Sequence, residues 1–127
     1  MKRSIVETKK APPPVGPYSQ AIQAGNMVFV SGQIALHPET NEIPKDFTAQ
    51  CHQVLKNLQA ILEASGSSLE HTVKVMIYMT DIDRFNELNE IYAGYLGSAK
   101  PARACVEVSR LPKGVLVEMD AVALIGE

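Results

Sequence analysis

The side chains best suited to chemistry are an arginine and a glutamate in the last quarter of the chain. Arg103 follows Pro101 and Ala102 at the start of a strand pattern, and Glu118 is flanked by apolar residues in another. A guanidinium can bind a carboxylate through two parallel hydrogen bonds. A partly buried carboxylate has a raised pKa and can hold and deprotonate a water molecule. The pair indicates a site for a small carboxylate beside an activated water; the alternative is that both are surface ions or ion-pair partners.

Other common catalytic groups lack the spacing that their chemistry requires. The three histidines, His37, His52 and His71, form no HxxxH or HExxH pattern, whereas a catalytic zinc needs about three convergent protein ligands. No GxSxG, Walker or GxGxxG motif occurs. Cys105 lies in an apolar strand pattern that is typical of a buried structural thiol; a thiolate nucleophile would need a nearby histidine or helix N-terminus. We therefore expect neither a metal nor an organic cofactor.

Two segments with helical periodicity are predicted to support these residues. The first has apolar residues at spacings of three and four from Phe47 to Leu62, with Asp46 as N-cap and Gly66 as its end. For the second, Asp81 is the predicted cap, and residues 97–101 end the helix. Its apolar side consists of residues that we interpret as packing residues, namely Phe85, Leu88, Ile91, Tyr92 and Tyr95.

The remaining patterned segments either alternate apolar and polar residues or are continuously apolar and β-branched, and both patterns predict strands. These segments are residues 19–24, 27–30, 72–79, 102–108 and 115–123. Their order predicts an α+β fold over residues 1–127, a single domain with one mixed sheet and two helices packed on one face. The opposite face combines Glu118 and Asp120 with Val122 and Leu124. A mixed face of this kind predicts burial against another subunit.

Composition excludes several classes of protein. The chain has 127 residues, of which 46% are hydrophobic and 20% charged, as in ordinary globular proteins. Its formal net charge of -2 gives no field that attracts nucleic acid or anionic membranes. No apolar run approaches the roughly 18 residues that span a bilayer. The two cysteines, Cys51 and Cys105, form no CxxC and are interpreted as reduced thiols, so we expect a cytoplasmic protein.

Four motifs, in the order that the family has them, resemble the Rid (YjgF) family of reactive-intermediate deaminases. The resemblance extends from about residue 4 to the end of the chain. The motifs are GPYSQA at 16–21, SGQ at 31–33, PARACVEV at 101–108, and LPKG at 111–114 with VEMDAVA at 117–123. The resemblance implies a chorismate-mutase-like α+β fold and a homotrimer. It also implies that three active sites lie in the clefts between subunits.

The resemblance also implies roles for individual residues. Arg103 matches the arginine that binds the substrate carboxylate, and Glu118 matches the glutamate that positions the attacking water. The other residues are implied to contact substrate in the cleft, with Cys105 doing so through its main chain: Tyr18, Ser31, Asn89 and Cys105. Many members of the family have an aromatic residue before the PAR motif, where this chain has Lys100. That departure leaves the preferred substrate side chain open.

The implied activity is that of a hydrolase in amino-acid metabolism, a 2-iminobutanoate and 2-iminopropanoate deaminase. It would convert reactive enamine or imine acids such as 2-aminoacrylate into 2-keto acids and ammonia. Two alternatives are an endoribonuclease or translation inhibitor acting on RNA, and a non-catalytic ligand-binding protein. The low net charge and the absence of a basic stripe interleaved with aromatic residues argue against RNA. The presence of Arg103 argues against a binding protein without catalysis.

Overall fold

A computed structural model describes residues 2–126, which form one six-stranded sheet and two α-helices. The strands lie in the order β1-β2-β3-β6-β4-β5, and only β4 and β5 are parallel neighbours. They are β1 Arg3–Val6, β2 Ala21–Ala24, β3 Met27–Gln33, β4 Thr72–Met79, β5 Ala102–Glu107 and β6 Val117–Leu124. The predicted α+β class is confirmed, and the pairing of β1 with β2 adds a strand that the sequence patterns had not defined.

The first helix, α1, spans Phe47–Ala64 and has the ends that the sequence predicts. The carboxylate of Asp46 accepts a hydrogen bond from the amide of Ala49 at 3.0 Å, which satisfies a free donor of the first turn. At the other end, Gly66 has φ +81 and the amide of Ser67 donates to the carbonyl of Leu62 at 2.9 Å. This is a Schellman ending, and it favours glycine because the backbone enters the left-handed region.

The second helix, α2, spans Phe85–Leu96 and begins one turn later than predicted. Asp81 instead caps a short 3-10 helix at Ile82–Arg84, where its side chain accepts from the amide of Asp83 at 3.0 Å. Asp81 is therefore a helix cap, as predicted, but it caps the 3-10 helix and not α2. As a result, Phe85 becomes the first residue of α2 instead of lying within it.

The hydrophobic core lies between the two helices and one face of the sheet. It includes Val54 and Leu58 of α1, Ile77 of β4 and Met119 of β6, all essentially inaccessible to solvent. The opposite face carries an apolar row that crosses four strands in register. This row, called the apolar row below, consists of Ile5, Ile22, Phe29 and Val122. None of the helices within residues 2–126 combines the length and apolar character needed to cross a lipid bilayer.

The buried amide side chain of Gln20 holds the segment that precedes the first sequence motif. The side-chain nitrogen of Gln20 lies 2.8–3.2 Å from the carbonyl oxygens of Thr8, Ala11 and Pro12. Its oxygen accepts from the amide of Thr8 at 2.7 Å. Each bond satisfies a polar group that has little access to water, so the segment leading to Tyr18 is tied to the sheet.

Candidate active site

Arg103 is the second residue of β5, the strand at one edge of the sheet. It pairs with the buried Val75 of β4, so its side chain points to the face that the helices cover. The guanidinium carbon lies 5.3 Å from the ring centre of Phe85 and 4.8 Å from that of Tyr92. Among residues 2–126, no carboxylate forms an ion pair with this guanidinium. Its N–H donors therefore remain for a ligand carboxylate.

The main chain beside Arg103 also presents polar groups at the free edge of the sheet. The amide of Val108 donates to the carbonyl of Met79 at 2.8 Å, which sets the direction of the hydrogen bonds between β4 and β5. Because successive residues of a parallel strand alternate between its two edges, the amide and carbonyl groups of Arg103 and Cys105 point away from β4. These main-chain groups are therefore available to a ligand bound at this edge of the sheet.

The thiol of Cys105 is half-buried and lies 3.4 Å from the sulfur of Met79. Burial raises the pKa of this thiol, and the charge of Arg103 lowers that pKa only in part. A thiol with a raised pKa is protonated at neutral pH and is a poor nucleophile. The raised pKa therefore argues against a role for this thiol as a nucleophile.

Asn89 lies on α2 between the two aromatic residues that contact Arg103. It follows Phe85 by four positions and precedes Tyr92 by three, so the three side chains share one face of the helix. The Asn89 Oδ1 and the Tyr92 hydroxyl are buried and have no hydrogen-bond partner among residues 2–126. We call this group the arginine cluster, and it consists of Phe85, Asn89, Tyr92, Arg103 and Cys105.

Glu118 lies on the open face of the sheet and packs against the backbone of β3. A Cβ atom at position 32 would overlap the Glu118 Oε2, so the carboxylate occupies space that only a glycine leaves free. The next residue back, Ser31, donates its amide to the carbonyl of Gln20 at 2.9 Å. This contact joins the glutamate to the loop that carries Tyr18.

Tyr18 is 48% exposed, and its hydroxyl accepts a hydrogen bond from the amide of Val15 at 3.3 Å. Tyr18 and Gly32 line the same small cavity of about 40 Å³, together with Lys113. Gly32 thus connects two of the residues predicted from sequence, because it lines the cavity with Tyr18 and packs against the Glu118 carboxylate. We call this group the glutamate cluster, and it consists of Tyr18, Ser31, Gly32 and Glu118.

Two effects raise the pKa of the Glu118 carboxyl. Burial is the larger, and the negative charge of Asp120 on the same face adds to it. Asp120 itself accepts a hydrogen bond from the hydroxyl of Tyr78 at 3.1 Å. A carboxylate with a raised pKa is a stronger base than an ordinary glutamate, as abstraction of a proton from water requires.

Replacing Glu118 by glutamine is expected to raise the melting temperature at about pH 8 and to leave it unchanged at about pH 4. With its pKa raised on folding, this carboxyl binds protons more tightly in the folded chain than in the unfolded one. Stability therefore falls as pH rises from the ordinary value of 4.5 through the raised value, and an amide avoids that loss. Below 4.5 both states are protonated, so the benefit disappears.

Thermal unfolding followed by circular dichroism across this pH range measures the effect. Glu90→Gln, at an exposed position of α2, is the matched control and should show no such pH-dependent gain. A lower melting temperature for Glu118→Gln at about pH 8 would contradict the prediction, since it would mean that folding stabilises the charged carboxylate instead of the neutral acid.

The two clusters lie on opposite faces of the sheet within one chain. Glu118 pairs with Tyr78 of β4, and Tyr78 pairs with Val106 of β5, three residues beyond Arg103. Two strand spacings and three residues along a strand put the Arg103 and Glu118 Cα atoms about 14 Å apart. Because their side chains also point in opposite directions, one small ligand cannot contact both in the same chain.

Phe85 and Tyr92 contact the candidate site residue Arg103, although the sequence predicted only a packing role for them. Both were interpreted as helix packing, and Tyr92 is indeed buried, but each ring also contacts Arg103. Their spacing of seven residues places both side chains on one face of the helix, and this spacing was visible in the sequence. Within residues 2–126, no group of three or more His, Cys, Asp or Glu side chains converges as a metal site would require.

The fold and the two clusters define a class of protein: an α+β sheet with an arginine at one edge and a partly buried glutamate on its open face. A family model described as Endoribonuclease L-PSP matches residues 8–125. The chain belongs to this family, the Rid (YjgF) family that its four motifs indicated.

Relatives of known sequence or structure are similar over nearly the whole chain. A RutC family protein of Pyrococcus abyssi is 53% identical over 124 residues, which are 97% of this chain and 98% of the relative. The crystal structure of RidA from an Antarctic Psychrobacter gives a TM-score of 0.93 at 45% identity and covers 96% of this chain and 99% of its own. Escherichia coli TdcF, solved with bound serine, gives 0.92 at 40% identity and covers 97% and 99%.

Proposed function

We propose that this protein hydrolyses 2-imino acids and their enamine tautomers, such as 2-aminoacrylate, to 2-keto acids and ammonia. The observation that carries the proposal is Arg103, a half-buried arginine without an acidic partner among residues 2–126, held at a free sheet edge. Such a fork suits a carboxylate ligand. The serine bound to the similar TdcF supports a ligand of this size, because serine also carries a carboxylate next to a nitrogen-bearing carbon.

The reaction follows from the roles assigned to the two clusters. Arg103 binds the carboxylate and holds C2 of the imine next to a water on Glu118. Glu118 takes a proton from that water as its oxygen bonds to C2, and the C=N electron pair moves to the nitrogen. Glu118 returns this proton to the nitrogen of the resulting carbinolamine. The C–N bond then breaks, and ammonia leaves as the hydroxyl gives its proton to Glu118 and becomes the keto group. Protonated imines react readily with water, so positioning and proton transfer suffice.

A shared site requires two copies of the chain, because the clusters lie on opposite faces of one sheet. The open face also carries the apolar row, in which Ile5 is 63% exposed and Phe29 is 46% exposed. Exposed apolar surface of this extent favours burial against a partner. We propose a homotrimer with three sites, each combining the arginine cluster of one chain with the glutamate cluster of its neighbour. A closed ring repeats the same pairing at every interface.

RNA cleavage is the second reaction class, since the family model is described as Endoribonuclease L-PSP. The formal net charge of -2 and the pI of about 5.9 do not favour binding to a polyanion. No contact among residues 2–126 adds support to it. We therefore treat RNA cleavage as an outcome of the test instead of a second proposal.

The test generates 2-aminoacrylate from serine with a dehydratase and measures pyruvate release with and without this protein. We expect a clear acceleration, because Arg103 and Glu118 hold the imine and the water together. Unchanged pyruvate release would refute the proposal. Cleavage of a defined RNA that survives further purification and is lost in Arg103→Ala would favour the second reaction class instead.

A further inference from the structure

The guanidinium of Arg103 contacts two aromatic rings of one helix. Phe85 and Tyr92 are seven residues apart on α2, which separates their Cα atoms by about 10.5 Å along the helix axis. The guanidinium carbon lies 5.3 Å from one ring centre and 4.8 Å from the other. The guanidinium therefore contacts both rings, which project from one face of the helix.

These aromatic contacts differ from the ion pair with a carboxylate that holds another arginine of the chain, Arg84. Arg84, at the N-terminus of the same helix, contacts the Phe47 ring at 5.0 Å and also pairs with Glu87 at 4.0 Å. Arg103 has the aromatic contacts but no such carboxylate among residues 2–126. An acidic partner would occupy the N–H donors that a ligand needs. Aromatic rings instead attract the cation through their π-electron density and leave those donors free.

We infer that Phe85 and Tyr92 are positioning residues, whose rings hold the Arg103 guanidinium ready for the carboxylate of a 2-imino or 2-keto acid. The inference rests on the proposed function and adds an element to it. A free arginine side chain has several rotatable bonds, and ordering it on binding costs affinity. Rings that order it in advance strengthen carboxylate binding without touching C2, so they act on Kd and KM more than on kcat.

The surroundings of the Tyr92 hydroxyl support the inference that the ring, and not the hydroxyl, positions Arg103. It is buried and has no hydrogen-bond partner among residues 2–126, so phenylalanine at this position loses no bond that the chain provides. A leucine removes the π-electron density but keeps an apolar side chain in the core. The two substitutions therefore separate the contribution of the ring from that of the hydroxyl.

The binding test measures the Kd of 2-oxobutanoate, a stable 2-keto acid, by titration calorimetry. Tyr92→Leu and Phe85→Leu should each weaken binding by about 3- to 30-fold, the range expected for loss of one cation–π contact. Tyr92→Phe should recover binding close to that of the parent protein. Tyr95→Leu is the matched control, because Tyr95 lies one turn further along α2 and its ring contacts His52, 5.6 Å away, instead of Arg103.

A second readout needs no ligand. The rings should shift the Arg103 Nε–Hε signal upfield in a ¹H–¹⁵N spectrum, and that shift should be reduced in Tyr92→Leu but kept in Tyr92→Phe. The chain has four arginines, so Arg103→Lys assigns the signal. An Arg103 signal that is identical in Tyr92→Leu, or a Kd unchanged in both leucine variants, would overturn the inference.

The two proposals fail in different ways. If the parent protein binds 2-oxobutanoate, with the expected losses in the leucine variants, but does not accelerate 2-aminoacrylate hydrolysis, the positioning role stands and the deaminase proposal falls. If the parent protein deaminates and the leucine variants bind as tightly as it does, the positioning role alone is wrong. If the parent protein does not bind the keto acid, the positioning role for this ligand class is rejected.

Discussion

Arg103→Ala is expected to lower kcat/KM for 2-aminoacrylate by about two to three orders of magnitude. The substitution removes a bidentate, charge-assisted pair of hydrogen bonds from the substrate carboxylate. It leaves the fold intact, because the guanidinium has no ion-pair partner among residues 2–126 whose charge would be left buried and unpaired. Coupled pyruvate release with in-situ substrate measures the rate, and thermal unfolding confirms that the variant is folded.

Two further variants define what the arginine contributes. Arg103→Lys should recover only part of the loss, because an ammonium keeps the charge but lacks the planar fork. Arg84→Ala is the matched control, since Arg84 also contacts an aromatic ring but already pairs with Glu87. Full activity in Arg103→Ala would show that the carboxylate is bound elsewhere. Unfolding or dissociation of that variant would identify the arginine as an interface residue instead.

Mixing two inactive variants is expected to restore activity. Arg103→Ala loses the carboxylate anchor and Glu118→Gln loses the base, so each should be nearly inactive as a pure assembly. If each site takes its arginine cluster from one chain and its glutamate cluster from the neighbour, some interfaces of a mixed assembly contain both intact clusters. With equal amounts in a closed ring, roughly a quarter of the sites should be intact.

The experiment unfolds the two variants together, refolds the mixture and compares its rate with that of each variant refolded alone. Light scattering should give a mass near three times 13.8 kDa for every sample. Refolding Arg103→Ala with the double variant, which also carries Glu118→Gln, is the control and should restore nothing, because no chain supplies the arginine. A mixture no more active than its parts, or a monomeric mass, would reject the site between chains.

The local parts of this fold were determined by the sequence alone. Periodicities of three and four placed α1 between its Asp46 cap and Gly66, and the strand predicted at 72–79 coincides with β4. Alternation along β6 correctly assigned Glu118 to the face opposite the buried Val117 and Met119. These features depend on neighbours within a few residues, where side-chain direction follows from backbone geometry. The four motifs added the family and the candidate residues.

The relation between Arg103 and Glu118 was decided only by the tertiary structure. Both side-chain patterns were visible in the sequence, but β4 lies between β5 and β6, and this order depends on contacts between segments far apart in the chain. The same is true of the contact that Phe85 and Tyr92 make with Arg103. Periodicity shows which face of an element a residue occupies, whereas the partner across that face is chosen by packing of the whole domain.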